Sequence, residues 1–175
     1  IGAIHRLAAL MDNQIELVCG CFSVDPEISR ASGKAYFLPK DRVYDTYQDM
    51  FEKESELPEG ERMDFVSIVT PNFVHFDPAM MALDHGFHVV LDKPITFTLE
   101  EALKLKEKID QTGLTFALTH TYIKHNKNSY YLDVVVGRND DRLRFALDDQ
   151  PGRLQDDGGH NGLIRVVVHH HAQGR

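Results

Sequence analysis

The sequence lacks the features of a membrane, secreted or general nucleic-acid-binding protein. Its 175 residues contain no apolar run of about 18 residues, so a transmembrane helix is not expected. The first residues do not show the basic and then apolar character of a signal peptide. The formal net charge is −8, whereas a nucleic-acid binder needs a basic surface. We therefore expect a cytoplasmic protein with neither a membrane nor a nucleic-acid partner.

Cysteine is also scarce, and the cysteine pattern excludes common structural roles. Cys19 and Cys21 are the only two, and they lie two positions apart in an apolar run. On a strand they share one face and are too close along the chain for an easy disulfide. Their spacing is not that of a metal pair, and the run from His169 to His171 has no spaced partner ligands. We expect buried, reduced thiols and no metal site.

Hydrophobic residues make up 42% of the chain, and their spacing switches between helix and strand patterns. Up to residue 118 the predicted order is helix, strand, helix, helix, strand, helix, strand, helix, strand. This alternation predicts an α/β fold with a doubly wound parallel sheet that helices cover on both faces. Such a domain normally opens with a strand. We infer that the first strand is missing ahead of Ile1.

Several helix ends carry recognisable signals. Asp25 followed by Pro26 predicts an N-cap and a first helical residue. Thr98 with Glu101 three residues later predicts a capping box, and Gly113 predicts the end of that helix. The Glu-rich stretch 52–62 predicts a solvated loop.

Lys93 is the most informative single residue. It follows the apolar run 89–91, which is typical of a buried strand, and Pro94 follows it directly. Lysine is rarely buried unless it is paired or used. Ligands of an open α/β sheet bind outside the carboxyl ends of its strands. These features predict a ligand site at Lys93.

The stretch 64–109 resembles the Gfo/Idh/MocA family (glucose–fructose oxidoreductase and inositol dehydrogenase), whose members are nicotinamide-dependent dehydrogenases that act mostly on sugars and cyclitols. The resemblance is carried by Asp64-Phe65-Val66-Ser67-Ile68-Val69-Thr70-Pro71-Asn72, His75, Asp92-Lys93-Pro94 and Thr98-Leu99-Glu100-Glu101-Ala102. The family usually has Glu-Lys-Pro where this chain has Asp92, which keeps the carboxylate. Weaker similarity extends over residues 1–122.

The resemblance implies an NAD- or NADP-binding Rossmann domain over residues 1–122, N-terminally incomplete. It also implies a partial α+β domain for substrate binding and oligomerisation over 123–175. Of the family's glycine fingerprint, which lets the backbone approach the pyrophosphate, only Gly2 remains. Ser23 ends the second strand and can bond the ribose of either cofactor, with a slight preference for NADP. The other implied cofactor-binding residues are Thr70, Pro71, Asn72, His75, Asp92, Lys93 and Pro94.

The resemblance also implies a reaction and a homo-oligomer. Hydride would pass between a nicotinamide and a secondary alcohol of a sugar or cyclitol, with Lys93 polarising the oxygen. The family's Asp-x-Gly-x-His pattern matches Asp156 to His160, which share one helical face, and His160 would take the proton. His120 and Tyr122 are expected in the cleft between domains. A non-catalytic nucleotide-binding or regulatory protein on the same fold is the alternative.

The tail after residue 122 differs in composition from the rest and admits other interpretations. Residues 123–175 contain no Glu, against ten in residues 1–122. Strands are expected at 130–136 and 143–147. Segments 151–154 and 158–163 resemble pieces of peptidyl-tRNA hydrolase, although the tail carries only about +1 net charge and tRNA needs a basic surface. A shifted reading frame or a deletion would also explain the change.

Overall fold

The computed structural model describes the backbone of residues 2–11, 13–124, 130–136, 144–147 and 164–170, and the side chains of these residues up to Thr119. The described helices are α1 (Gly2–Leu10), α2 (Pro26–Ala35), α3 (Tyr47–Glu56), α4 (Phe76–Asp84) and α5 (Leu99–Thr112). The described strands are β1 (Ile15–Cys19), β2 (Phe65–Val69), β3 (His88–Leu91), β4 (Phe116–Lys124), β5 (Tyr130–Val136), β6 (Arg144–Leu147) and β7 (Ile164–His170). The predicted element order is confirmed through β4.

These strands form one sheet in the order β1-β7-β2-β3-β4-β5-β6. Each neighbouring pair from β1 to β4 is parallel. The β4–β5 and β5–β6 pairs are antiparallel. The predicted α/β fold with a Rossmann-type parallel sheet is therefore confirmed.

Helices cover both faces of the sheet. Successive side chains of a strand point to opposite faces. Ser67 of β2 contacts His5 of α1, whose Nδ1 atom lies 3.1 Å from the serine hydroxyl. Val66 and Ile68 lie instead in the apolar core with Ala82 of α4. Helices α1 and α4 are therefore on opposite faces, as a doubly wound sheet requires.

Strand β7 occupies the position that a Rossmann sheet gives to the strand preceding its first helix. It lies between β1 and β2, pairing Ile164 with Ile15 and Val166 with Phe65. It also packs against α1. No strand precedes α1 in the part of the chain that the structure describes. This position is filled by a strand from residues 123–175, which the family resemblance assigned to a second domain. The domain boundary after residue 122 stays a prediction.

Cysteine cross-linking tests the pairing of β7 with β1. Glu16 and Arg165 are register partners, and paired residues on neighbouring strands lie about 4.8 Å apart. A disulfide needs a Cα separation of about 4.4–6.8 Å. We predict that Glu16→Cys/Arg165→Cys forms an intramolecular disulfide on mild oxidation, detected by mass spectrometry of the monomer.

A matched control places the second cysteine at His170, five residues along β7 and about 16 Å further along the strand. Glu16→Cys/His170→Cys should stay uncross-linked. A cross-linked dimer of the Arg165 variant would show that β7 comes from a second copy, and no cross-link would contradict the register.

The predicted helix caps are confirmed. The Asp25 carboxylate accepts from the Glu27 amide at 2.9 Å. Thr98 and Glu101 form a capping box at the start of α5. Gly113 ends that helix in the left-handed region, with φ of 64°. Within the described residues we find no helix with the length and hydropathy that a membrane span requires.

The prediction that both cysteines are buried is also confirmed. Cys19 and Cys21 are buried free thiols. Burial raises the pKa of both, to about 11 for Cys21. These thiols are therefore poor nucleophiles in the folded protein.

The prediction of a solvated loop over 52–62 is wrong in its first part. Helix α3 continues to Glu56, and Glu54 is fully buried. Its carboxylate accepts two bonds from the Arg42 guanidinium, both 2.9 Å, and one of 2.7 Å from the Tyr44 hydroxyl. It also accepts from the Met63 amide at 3.0 Å. A glutamate surrounded by four donor contacts tolerates burial, which composition alone does not indicate.

Candidate active site at the carboxyl edge of the sheet

The motifs singled out in the sequence meet at the carboxyl ends of β2 and β3. These strands are parallel neighbours, so the residues that follow them lie at the same edge of the sheet. Thr70-Pro71-Asn72 follows β2, and Asp92-Lys93-Pro94 follows β3. The Asp92 amide donates to the Ile68 carbonyl at 2.9 Å and continues the ladder past the end of β3.

His75 connects these two turns. Its side chain has no solvent exposure. The Nε2 atom lies 2.8 Å from the Thr70 carbonyl oxygen, and the Nδ1 atom lies 2.7 Å from the Pro94 carbonyl oxygen. Each ring nitrogen therefore contacts a backbone carbonyl oxygen, one in the Thr70 turn and the other in the Lys93 turn.

Asp92, which directly precedes Lys93 in the chain, is the centre of a buried polar cluster. Its side chain is buried, and its Oδ1 atom accepts from the Thr119 hydroxyl at 2.9 Å. The Nε2 atom of His5 lies 3.9 Å from the same oxygen. The cluster joins α1, β3 and β4 at one point and fixes the carboxylate that precedes Lys93. Sequence reasoning missed His5 and Thr119, although His5 lies three residues after Gly2 and Thr119 lies beside His120.

The His5 environment predicts a pH dependence of stability. Burial lowers the pKa of His5 below its ordinary 6.5, and the Asp92 carboxylate only partly opposes this. As the pH falls below 6.5, the unfolded chain binds a proton at His5 before the native chain does, so the free energy of unfolding decreases. Above pH 6.5 both states are neutral at His5 and its contribution is constant.

We therefore predict that His5→Gln loses less stability than the wild type between about pH 7 and pH 5.5, measured by urea unfolding at each pH. Comparing the two proteins cancels the titration of the other histidines. An equal or larger loss in His5→Gln would contradict the assignment.

Lys93 and Thr70 offer polar groups to a ligand at this edge. Lys93 is half-buried, and its ammonium has no hydrogen-bonding or ionic partner among the side chains that the structure describes. The Thr70 hydroxyl oxygen is buried and likewise unpaired within the described residues. A buried hydroxyl without a partner is costly, and a polar ligand group would satisfy it. The residues present therefore fit a polar cofactor bound across this edge.

Gly2 and Ser23 lie on neighbouring elements. Gly2 is buried at the start of α1. Ser23 follows β1 and is buried, and its hydroxyl accepts from the Asp25 amide at 3.1 Å. Ser23 thus takes part in the turn into α2, and its cofactor-binding role stays a prediction.

The predicted acid–base residues Asp156 and His160 lie outside the described residues. His120 and Tyr122 lie in β4, and their side chains are also outside the described set. Their predicted roles stay predictions.

Comparison with known proteins agrees with this geometry. A family model described as the Gfo/Idh/MocA oxidoreductase family, with an NAD-binding Rossmann fold, matches residues 3–120. The chain belongs to this family. Its described parallel sheet is the family's NAD-binding Rossmann domain, and the resemblance in the sequence is confirmed.

Relatives within the Gfo/Idh/MocA family include an uncharacterised oxidoreductase, YfiI of Bacillus subtilis (strain 168), 33% identical over 123 residues. That match covers 70% of this chain and 31% of the relative. D-glucoside 3-dehydrogenase of Escherichia coli (strain K12) is 30% identical over 165 residues, covering 94% of this chain and 38% of the relative.

Among solved structures, an inositol dehydrogenase homolog of Azotobacter vinelandii, complexed with NADH and myo-inositol, has a TM-score of 0.65 and 40% identity. The match covers 68% of this chain and 31% of that one. The chain thus spans about a third of the length of the relatives it matches.

Proposed function

We propose that this protein is an NAD(P)-dependent dehydrogenase that transfers a hydride between the nicotinamide and a secondary alcohol of a sugar or cyclitol. The observation that supports this most is the meeting of Thr70-Pro71-Asn72 and Asp92-Lys93-Pro94 at one sheet edge, with an unpaired buried hydroxyl and a half-buried lysine. The A. vinelandii relative, complexed with NADH and myo-inositol, supports the substrate class.

In this proposal the residues of the chain bind and orient the cofactor and the substrate, and they stabilise the charge that develops during the reaction. A bound nicotinamide supplies the hydride acceptor or donor chemistry. Gly2 at the start of α1 admits the pyrophosphate, and Ser23 contacts the adenosine ribose. Beside the nicotinamide ribose lie Thr70, Pro71 and Asn72. The remaining residues of the proposed cofactor site are His75, Asp92 and Pro94.

Lys93 is the proposed catalytic residue that contacts the substrate oxygen. Its ammonium stabilises the negative charge that develops on the alcohol oxygen as hydride leaves the carbon. His160 accepts the hydroxyl proton, and Asp156, four positions before it, is the other proposed catalytic residue of the matched pattern. The chemistry requires no metal in this scheme.

The two-domain organisation and homo-oligomer formation through residues 123–175 are part of the same proposal. The alternative is a nucleotide-binding or regulatory protein on the same fold, because a fold alone does not determine an activity. Binding of cofactor without turnover would favour that alternative.

Turnover with a panel of polyols tests the proposal. The protein is incubated with NAD⁺ or NADP⁺ and with myo-inositol, scyllo-inositol or D-glucosides, and the absorbance of the reduced nicotinamide is followed. We expect reduction with at least one polyol, and thermal stabilisation by the preferred cofactor. Stabilisation without reduction by any polyol would support the regulatory alternative.

A further inference from the structure

We infer that His75 is a positioning residue that fixes the distance between the Thr70 turn and the Lys93 turn through two separate hydrogen bonds. The kinetic test of this role rests on the proposed dehydrogenase function, whereas the NMR test does not. His75 has an indirect role, because both of its ring nitrogens already contact backbone carbonyls and neither is free to bind a cofactor.

Geometry and burial carry this inference. His75 precedes α4 and is 0% exposed, so its ring is not accessible to solvent. The ring meets the Thr70 carbonyl at 2.8 Å and the Pro94 carbonyl at 2.7 Å. Pro94 is bonded directly to Lys93, so a bond to its carbonyl restrains the lysine backbone. Thr70 carries the unpaired buried hydroxyl of the proposed cofactor site.

Both partners of the His75 ring are backbone carbonyl oxygens. A carbonyl oxygen only accepts, so each ring nitrogen must carry a proton for both contacts to be hydrogen bonds. A neutral ring has one N–H and would turn a lone pair toward the other carbonyl. The double bridge therefore requires an N–H on both ring nitrogens of His75.

Two conservative substitutions each retain one of the bonds. The side-chain amide nitrogen of asparagine can take the place of Nδ1, and that of glutamine can take the place of Nε2. His75→Asn thus retains the bond to Pro94 and loses the bond to Thr70. His75→Gln retains the bond to Thr70 and loses the bond to Pro94.

The two variants should affect cofactor binding and turnover separately. With the Thr70 turn released, His75→Asn should raise the KM for the nicotinamide cofactor up to about tenfold with kcat nearly unchanged, because a net hydrogen bond is worth up to about that factor. With the Lys93 turn released, His75→Gln should lower kcat about 10²-fold with the KM nearly unchanged, because misplacing a reacting group by about 1 Å costs that much. His85→Asn, at the other end of α4, is the matched control and should change neither constant.

Nitrogen-15 NMR of the wild-type protein near neutral pH gives a readout that needs no turnover. Two slowly exchanging ring N–H protons assigned to His75, and lost in both variants, are expected. A single ring N–H would overturn the double bridge, as would equal changes of KM and kcat in the two variants. If wild-type protein binds no nicotinamide cofactor but shows both protons, the proposed function fails and the bridge stands.

Discussion

Lys93→Ala should lower kcat/KM for the polyol about 10²–10³-fold while the protein keeps its affinity for the nicotinamide cofactor. Removing one group that stabilises a developing oxyanion typically costs this much. Lys93 has no ionic partner among the described side chains, so its loss leaves no buried charge unpaired and the fold should be unaffected. Steady-state kinetics and a cofactor titration measure the two effects separately.

Lys104→Ala is the matched control for this prediction. Lys104 is an exposed lysine on α5 that pairs with Glu100 at 2.7 Å, and exposed pairs of this kind contribute little. Its turnover should equal that of the wild type. Unchanged turnover in Lys93→Ala would remove Lys93 from the mechanism.

Glu54→Ala should have the largest effect on stability, lowering the free energy of unfolding by about 3–5 kcal/mol. The substitution leaves the Arg42 guanidinium largely buried without its carboxylate, and that side chain is 19% exposed. It also removes the acceptor of the Tyr44 hydroxyl and the Met63 amide. Urea denaturation of the variant and the wild type measures the difference.

Glu52→Ala lies on the same helix at an exposed position and serves as the control. Surface substitutions usually change stability by less than about 0.5 kcal/mol. If Glu54→Ala is no less stable than Glu52→Ala, the buried carboxylate does not hold Arg42 in the native protein.

Local signals in the sequence were sufficient for much of the fold. The N-cap at Asp25, the capping box at Thr98 and the helix end at Gly113 depend on contacts within a few residues. The alternation of helix and strand patterns predicted the parallel sheet, because connections of this kind have few alternatives. The turns at Thr70 and Lys93 were recognisable because the chain must stop each strand there.

Contacts between distant residues could not be predicted in the same way. The pairing of β7 with β1 joins residues about 150 positions apart, and no local pattern encodes which two strands β7 lies between. Burial of Glu54 depends on donors from Arg42 to Met63 that converge only in the folded chain. The His75 bridge is hidden in the sequence for the same reason, since its carbonyl partners carry no side-chain signal.

Isotope transfer is the most direct measurement of the central claim. The protein is incubated with NAD⁺ or NADP⁺ and with a polyol found to turn over, deuterated at its ring carbons, and the recovered reduced cofactor is analysed by mass spectrometry and proton NMR. We predict one deuterium at nicotinamide C4, delivered directly from the alcohol carbon, and a transfer about 10²–10³-fold slower in Lys93→Ala. Bound cofactor that never acquires deuterium from any polyol tested would contradict hydride transfer and leave a nucleotide-binding protein in its place.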